Sequence, residues 1–211
     1  MFKLAPLPQR GPGLFKAKPA RHLGSQGLVA SKPAPKKLCR LVVAVQPKTS
    51  YGMAARGRLF AGQVSFPCAI GAASVKRHKT EGDLASPAGQ FRLLGGYYRP
   101  VSIRPTAPWP LRPIGQADGW CDDPRSPAYN RFLRLPSAYS CEKLWRNDGL
   151  YDLVIVLDYN LWPQRKRGGS AIFLHCARPD FAPTAGCIAL QQGDLRKLLP
   201  RLAKCAVLVV K

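Results

Sequence analysis

Acidic residues are scarce in this 211-residue chain: 11 Asp and Glu stand against 33 Lys and Arg, a formal net charge of +22. Such a surface attracts polyanions over a screening length of about 8 Å at physiological salt. Anionic polymers of a cell envelope, anionic lipid and nucleic acid all satisfy that attraction. A specific nucleic-acid reader is not expected, because the chain has no helix-turn-helix pattern, no aromatic-basic ribonucleoprotein signature and no paired zinc knuckles. The basic residues are also scattered, with Lys76, Arg77 and Lys79 in one stretch and Arg165, Lys166 and Arg167 in another. They read as solvated loops.

Other absences narrow the reading. No C-x-x-C occurs among the seven cysteines, so a metal centre of the usual spacing is not expected. No apolar run approaches the roughly 20 residues that span a bilayer. No apolar core of roughly 7 to 15 residues, the mark of a secretory leader, precedes Lys36. No internal repeat is visible. The stretch from Met1 to about Lys37 has no acidic residue and no apolar periodicity, and reads as a basic tail that is disordered or processed away. Residues 38–211 then form one domain, long enough to bury a sizeable core.

What is present points to a mostly β fold, a β-rich α+β domain with mixed sheet and few short helices. Strands are expected at 40–46, in a hairpin with arms near 57–60 and 63–70 that turns at Ala61-Gly62, and at 91–98, 152–158, 170–176, 186–190 and 206–210. The runs Leu153–Leu157 and Ala171–Leu174 are continuously apolar rather than alternating, so both are expected to be central strands covered on both faces. Helices are expected at 140–147 and from Gln192 to Ala203, where Leu195, Leu198, Leu199 and Leu202 share a face and Pro200 weakens the end. The segment from Pro100 to Pro136, rich in Pro, Arg and aromatics, reads as binding loops on a rigid scaffold. Trp109 and Trp120 within it, with Tyr97 and Tyr98 just ahead of it, are candidate cleft aromatics. Cys68, Cys176 and Cys205 lie in apolar strand contexts and read as small buried hydrophobes. Cys121 and Cys141 are the better disulfide candidates.

The strongest chemical signal is SAIFLHCARPDFAPTAGCIAL, residues 170–190. An apolar strand ends in His175, and a Thr-x-Gly-Cys turn ends in Cys187. An unassisted thiol has a pKa near 8.5 and is mostly protonated at neutral pH, so a nucleophilic cysteine needs a base such as His175. Pro179 and Pro183 stiffen the loop between them and can bring its ends together. Gly186 suits a tight turn in which backbone N–H groups converge on one point, the requirement of an oxyanion hole.

These residues carry a family resemblance. Thr184 to Leu190, TAGCIAL, with the upstream strand histidine, resembles the active-site signature of L,D-transpeptidases with the YkuD-type catalytic domain. Glu81-Gly82-Asp83 followed by Ser86-Pro87-Ala88-Gly89-Gln90-Phe91 is similar to the family's TPxGxF element. Asp118 to Asp123 with Tyr129-Asn130-Arg131, and the HxARPDxxPTxGC form of the active-site segment, resemble a branch found in many Gram-negative bacteria. The likeness runs from about residue 39 to the C-terminus.

The resemblance implies acyl transfer on peptidoglycan stem peptides, donor and acceptor, in the cell envelope or periplasm. The visible sequence offers no export signal for that address, so either the true start differs or export is unconventional. Cys187 would attack the L-centre carbonyl of a donor diaminopimelate, release the terminal D-Ala and form a thioester. His175 would carry the protons, oriented by the backbone carbonyl of Cys176, and Gly186 would supply an oxyanion donor. No cofactor or metal is implied. Two departures stand out: Ala185 and Ala189 occupy places where most members have His and Arg. Arg178 is the nearest substitute for holding a substrate carboxylate, and Thr184, Trp120, Asn130 and Arg131 are further substrate-contact candidates. A thiol hydrolase or L,D-carboxypeptidase on the same fold, and a non-catalytic basic polyanion-binding protein, remain as alternatives. Oligomeric state is not legible.

Overall fold

The computed structural model describes residues 36–46, 56–100 and 104–211. Nearly all of the basic tail expected from Met1 to about Lys37 lies outside these residues. In chain order the strands are β1 Leu38–Val45, β2 Arg56–Ala61, β3 Val64–Ala69, β4 Val75–Lys76, β5 Ser86–Pro87, β6 Gly89–Tyr98, β7 Leu111–Pro113, β8 Asp118–Cys121, β9 Phe132–Arg134, β10 Cys141–Lys143, β11 Leu153–Leu157, β12 Phe173–Cys176 and β13 Ile188–Leu190. Helix α1 Gln192–Leu198, a 3-10 turn Leu199–Arg201 and strand β14 Leu202–Val210 follow.

The main sheet runs β11-β12-β13-β3-β2-β1-β14-β6-β7, and a further pairing of β6 with β11 closes it into a ring. Strand β6 makes the closure because it is long: Gly89 to Arg92 pair with β14, and Leu93 to Tyr98 with β11. The sheet is mixed, with β12 parallel to β13 and β1 parallel to β14. Side chains alternate across a strand, so Leu153, Ile155 and Leu157 of β11 point into the ring with Leu41, Val43, Leu59 and Leu208. Its Val154 and Val156 point the other way, into a second apolar layer with Trp120, Leu144, Tyr151 and Phe173.

That second layer explains the unbroken apolar runs. β11 and β12 are buried at every position, as their sequences led us to expect. Each fully buried Leu or Ile contributes roughly 1.5–3 kcal/mol, and truncating Ile155 to Ala would cost about 2–5 kcal/mol. The cover is a three-stranded sheet ordered β10-β8-β9.

The cover also corrects one helix. Residues 140–147 were expected to be helical, but Cys141, Glu142 and Lys143 pair antiparallel with Cys121, Trp120 and Gly119. Tertiary pairing overrides local propensity there. The C-terminal helix is shorter than its leucine spacing suggests, ending at Leu198. Pro200, which lacks an N–H, lies in the 3-10 turn, and Leu202 and Ala203 already belong to β14. The β2–β3 hairpin turns at Gly62-Gln63, one residue later than expected, with Gly62 at φ +65, where a Cβ is disfavoured.

The cysteines are all free thiols. Cys121 and Cys141 do face each other across β8 and β10. Cys205 is exposed rather than buried, because Ala206, Leu208 and Val210 take the inward positions of β14; its sulfur lies 3.9 Å from that of Cys39. No helix among the described residues is long and apolar enough to cross a membrane.

Candidate active site

Strands β12 and β13 set the two reactive side chains. His175 pairs with Ala189 and Leu174 with Ile188 in parallel register, so His175, Ala189 and Cys187 project from neighbouring strands to one face. They open into a cleft of about 520 Å³, which Arg178, Thr184 and Gly186 also line. That volume suits a small-molecule or peptide-end ligand.

His175 is buried, and its Nδ1 lies 2.9 Å from the Cys176 carbonyl oxygen. A carbonyl only accepts, so Nδ1 carries the proton and Nε2 is the acceptor nitrogen. Burial lowers the imidazole pKa to about 4, although the Cys176 and Leu150 carbonyls oppose the shift. Burial pushes the Cys187 thiol up to about 12, and the nearby Glu142 adds to it, while Phe173 N–H and Lys79 work the other way. Both groups are therefore neutral at pH 7 in this conformation, instead of the thiolate-imidazolium pair of a low-pKa cysteine. Cys187 Sγ accepts from Phe173 N at 3.3 Å and donates to the Ala171 carbonyl at 3.1 Å. The thiol is thus held between two backbone groups of the segment that leads into β12.

The turn before Cys187 is held by Thr184. Its Oγ1 donates to the Cys187 carbonyl at 2.6 Å and accepts from Gly186 N at 3.2 Å. Thr184 thus acts inside the turn, and the Gly186 N–H expected to face substrate is engaged with it. Gly186 has φ +146, and a Cβ there would come within 2.8 Å of the Ala85 carbonyl oxygen. Only glycine fits.

The remaining candidates divide. Arg178 is exposed on the cleft wall, and no ion pair among the described residues engages it, with Asp180 or any other acid. Trp120, Asn130 and Arg131 do not line the cleft. Trp120 Nε1 donates to Asn130 Oδ1, and the indole meets Phe173 edge to face. Asn130 also accepts from Ala171 N and donates to the Tyr159 and Asn160 carbonyls, while Arg131 donates to the Leu161 carbonyl. These three tie the covering sheet to the loop ahead of β12. Tyr97 stacks on Phe132, Trp109 donates to the Lys204 carbonyl, and Tyr98 packs against the main core. None is a cleft aromatic.

Tyr151 takes that place. It stands edge-on to His175 and donates its hydroxyl to the half-buried carboxylate of Glu142, whose pKa desolvation raises. Sequence reasoning missed both, Glu142 because it was assigned to a helix. It also missed Lys79, grouped with solvated loop cations although its side chain is only 3% exposed. No group of three or more His, Cys, Asp or Glu among the described residues is placed to hold a metal ion.

A thiol and an imidazole opening into one cleft of a closed mixed sheet are the pair of groups that thiol acyl transfer requires. The L,D-transpeptidase catalytic domain profile, YkuD, matches residues 43–210, and the chain belongs to that family. The chain has no significant match among curated proteins or solved structures.

Proposed function

We propose that this chain is a cysteine-dependent acyltransferase of peptidoglycan stem peptides, an L,D-transpeptidase working in the cell envelope. One observation carries the reading: within the YkuD domain, His175 and Cys187 open into the same cleft, with Nδ1 of the imidazole committed to the Cys176 carbonyl and Nε2 left as the base. The HxARPDxxPTxGC form supports the branch common among Gram-negative bacteria.

In this reading the Cys187 proton passes to His175 Nε2 as sulfur adds to the donor carbonyl, and the imidazolium returns it to the departing amine nitrogen of D-Ala. An acceptor amine then displaces the thioester, with His175 taking the amine proton. Arg178, exposed on the cleft wall, would hold a stem-peptide carboxylate in the role that Ala189 cannot fill. The excess of basic residues would favour residence near an anionic envelope.

Purified protein should convert defined tetrapeptide muropeptides to crosslinked dimers detectable by mass spectrometry. A carbapenem should leave a covalent adduct that vanishes in Cys187→Ala. Shortened monomer alone would identify an L,D-carboxypeptidase, and absence of both product and adduct would sink the enzyme reading.

A further inference from the structure

The cleft contains a cation that the thiol-imidazole pair does not use. Lys79 is almost fully buried, an environment an ammonium tolerates only when paired. Its partner is Asp83, 2.7 Å away. Burial works against the Asp83 charge, but hydrogen bonds from Lys79, Ala85 N and Thr80 N hold its carboxyl below the ordinary range. The turn 79–85 is built around this ion pair.

The course of the lysine is informative. Its aliphatic stem passes over Gly169 and its ammonium ends beside Gly186. A Cβ on Gly169 would strike Lys79 Cε at 2.8 Å, and a Cβ on Gly186 would lie 3.3 Å from Nζ. Both glycines have positive φ, +95 and +146, so neither position readily accepts another residue. A structural ion pair needs Asp83; it does not need its nitrogen delivered to the residue before the nucleophile.

We infer that the Lys79 ammonium is a further catalytic residue, a charged donor to the oxyanion formed when Cys187 adds to an acyl carbonyl; this rests on the acyltransferase reading above. An ammonium has three N–H donors. One serves Asp83 and a second reaches the Thr80 carbonyl at 3.5 Å, which leaves a donor for the cleft that Lys79 lines with Gly186 and Cys187. The need is specific, since Gly186 N–H is already bound to Thr184 Oγ1. Because thiol and imidazole both start neutral, addition creates the negative charge at the carbonyl oxygen within a poorly hydrated site. A fixed positive charge has most effect there.

The step balances as follows. The S–H proton moves to His175 Nε2, the sulfur pair forms the S–C bond, and the carbonyl π pair becomes the oxyanion that Lys79 holds. On collapse the C=O reforms, the C–N bond breaks, and His175 protonates the leaving nitrogen. Lys79 keeps its own protons throughout.

The test compares two reactions of the same sulfur in full-length protein. Acylation by a carbapenem passes through an oxyanion; alkylation by iodoacetamide does not. The variants are Lys79→Met and the neutral pair Lys79→Met/Asp83→Asn, the second avoiding an unpaired buried acid, with folding checked by circular dichroism melts. Folded variants should lose 100-fold or more in acylation rate, the scale of one oxyanion donor, while alkylation of Cys187 falls less than tenfold. Acylation at the wild-type rate in either variant, or equal losses in both reactions, would remove Lys79 from catalysis while leaving the transferase reading intact. A wild type that no carbapenem acylates would overturn both.

Discussion

Tyr151 meets His175 edge to face, with ring centroids 5.2 Å apart at 83°, and its hydroxyl is bonded to Glu142. The aromatic ring packs on the His175 imidazole, while the phenol bonds a half-buried acid on the same cleft. Tyr151→Phe keeps the first contact and removes the second. It should destabilise the fold by about 0.5–1.5 kcal/mol, the net worth of one hydrogen bond whose acceptor water can still reach, as read by urea denaturation. Tyr151→Ala should additionally lower acylation, because the ring no longer has a wall.

The lowered His175 pKa sets an acid limit. The imidazole is already the free base above about pH 4, so acylation should hold nearly level from pH 8 down to about 5 and decline through 4. A midpoint near the ordinary histidine value of 6.5 would contradict this. Stability follows the same group. Between pH 6.5 and 4 the unfolded chain protonates His175 and the folded chain does not, so folding weakens as pH falls, by on the order of 3 kcal/mol at most. His175→Phe should flatten that part of a stability-pH curve.

Gly186→Ala is expected to be severe. Its methyl would meet the Ala85 carbonyl oxygen at 2.8 Å and crowd both Ile172 and Lys79. Backbone strain of order 1–3 kcal/mol would displace the nucleophile, and a misplacement of about 1 Å costs on the order of 100-fold in rate. Single-turnover acylation with a parallel thermal melt will separate the kinetic effect from the structural one.

Restoring the residue common in the family at position 189 alters the cleft itself. Ala189 pairs with His175 and lines the same cleft, so Ala189→Arg puts a long cation into the space a substrate would take. The side chain can extend into the cleft, so a little-changed melting temperature with reduced acylation is expected. Arg178→Ala is the contrasting case. That side chain is exposed and outside every ion pair found among the described residues, so its loss should leave the melt unchanged and raise KM for a carboxylate-bearing donor. An unchanged KM would make Arg178 a bystander.

The features legible in sequence were those with a local physical signature. Continuous apolar runs announced β11 and β12, because a strand covered on both faces has no polar positions. His175 and Cys187 stood out because strand, turn and nucleophile lie within one short segment. Glu142 and Lys79 were missed for the opposite reason. Each is a charged residue among other charged residues, and what makes it special is a distant partner: Tyr151 for one, the two glycines at 169 and 186 for the other. Trp120, Asn130 and Arg131 were located in a meaningful cluster, but their hydrogen bonds run to backbone groups and to one another rather than into the cleft.

His175 lies in β12, flanked by β11 and β13, and Cys187 leads directly into β13, flanked by β12 and β3. Neither strand can peel away to admit a bulkier substrate. Adaptation to a different acceptor must then be written in the surrounding turns near Gly82, Arg146 and Ala182, and libraries confined to those turns could alter selectivity while sparing the nucleophile's seat.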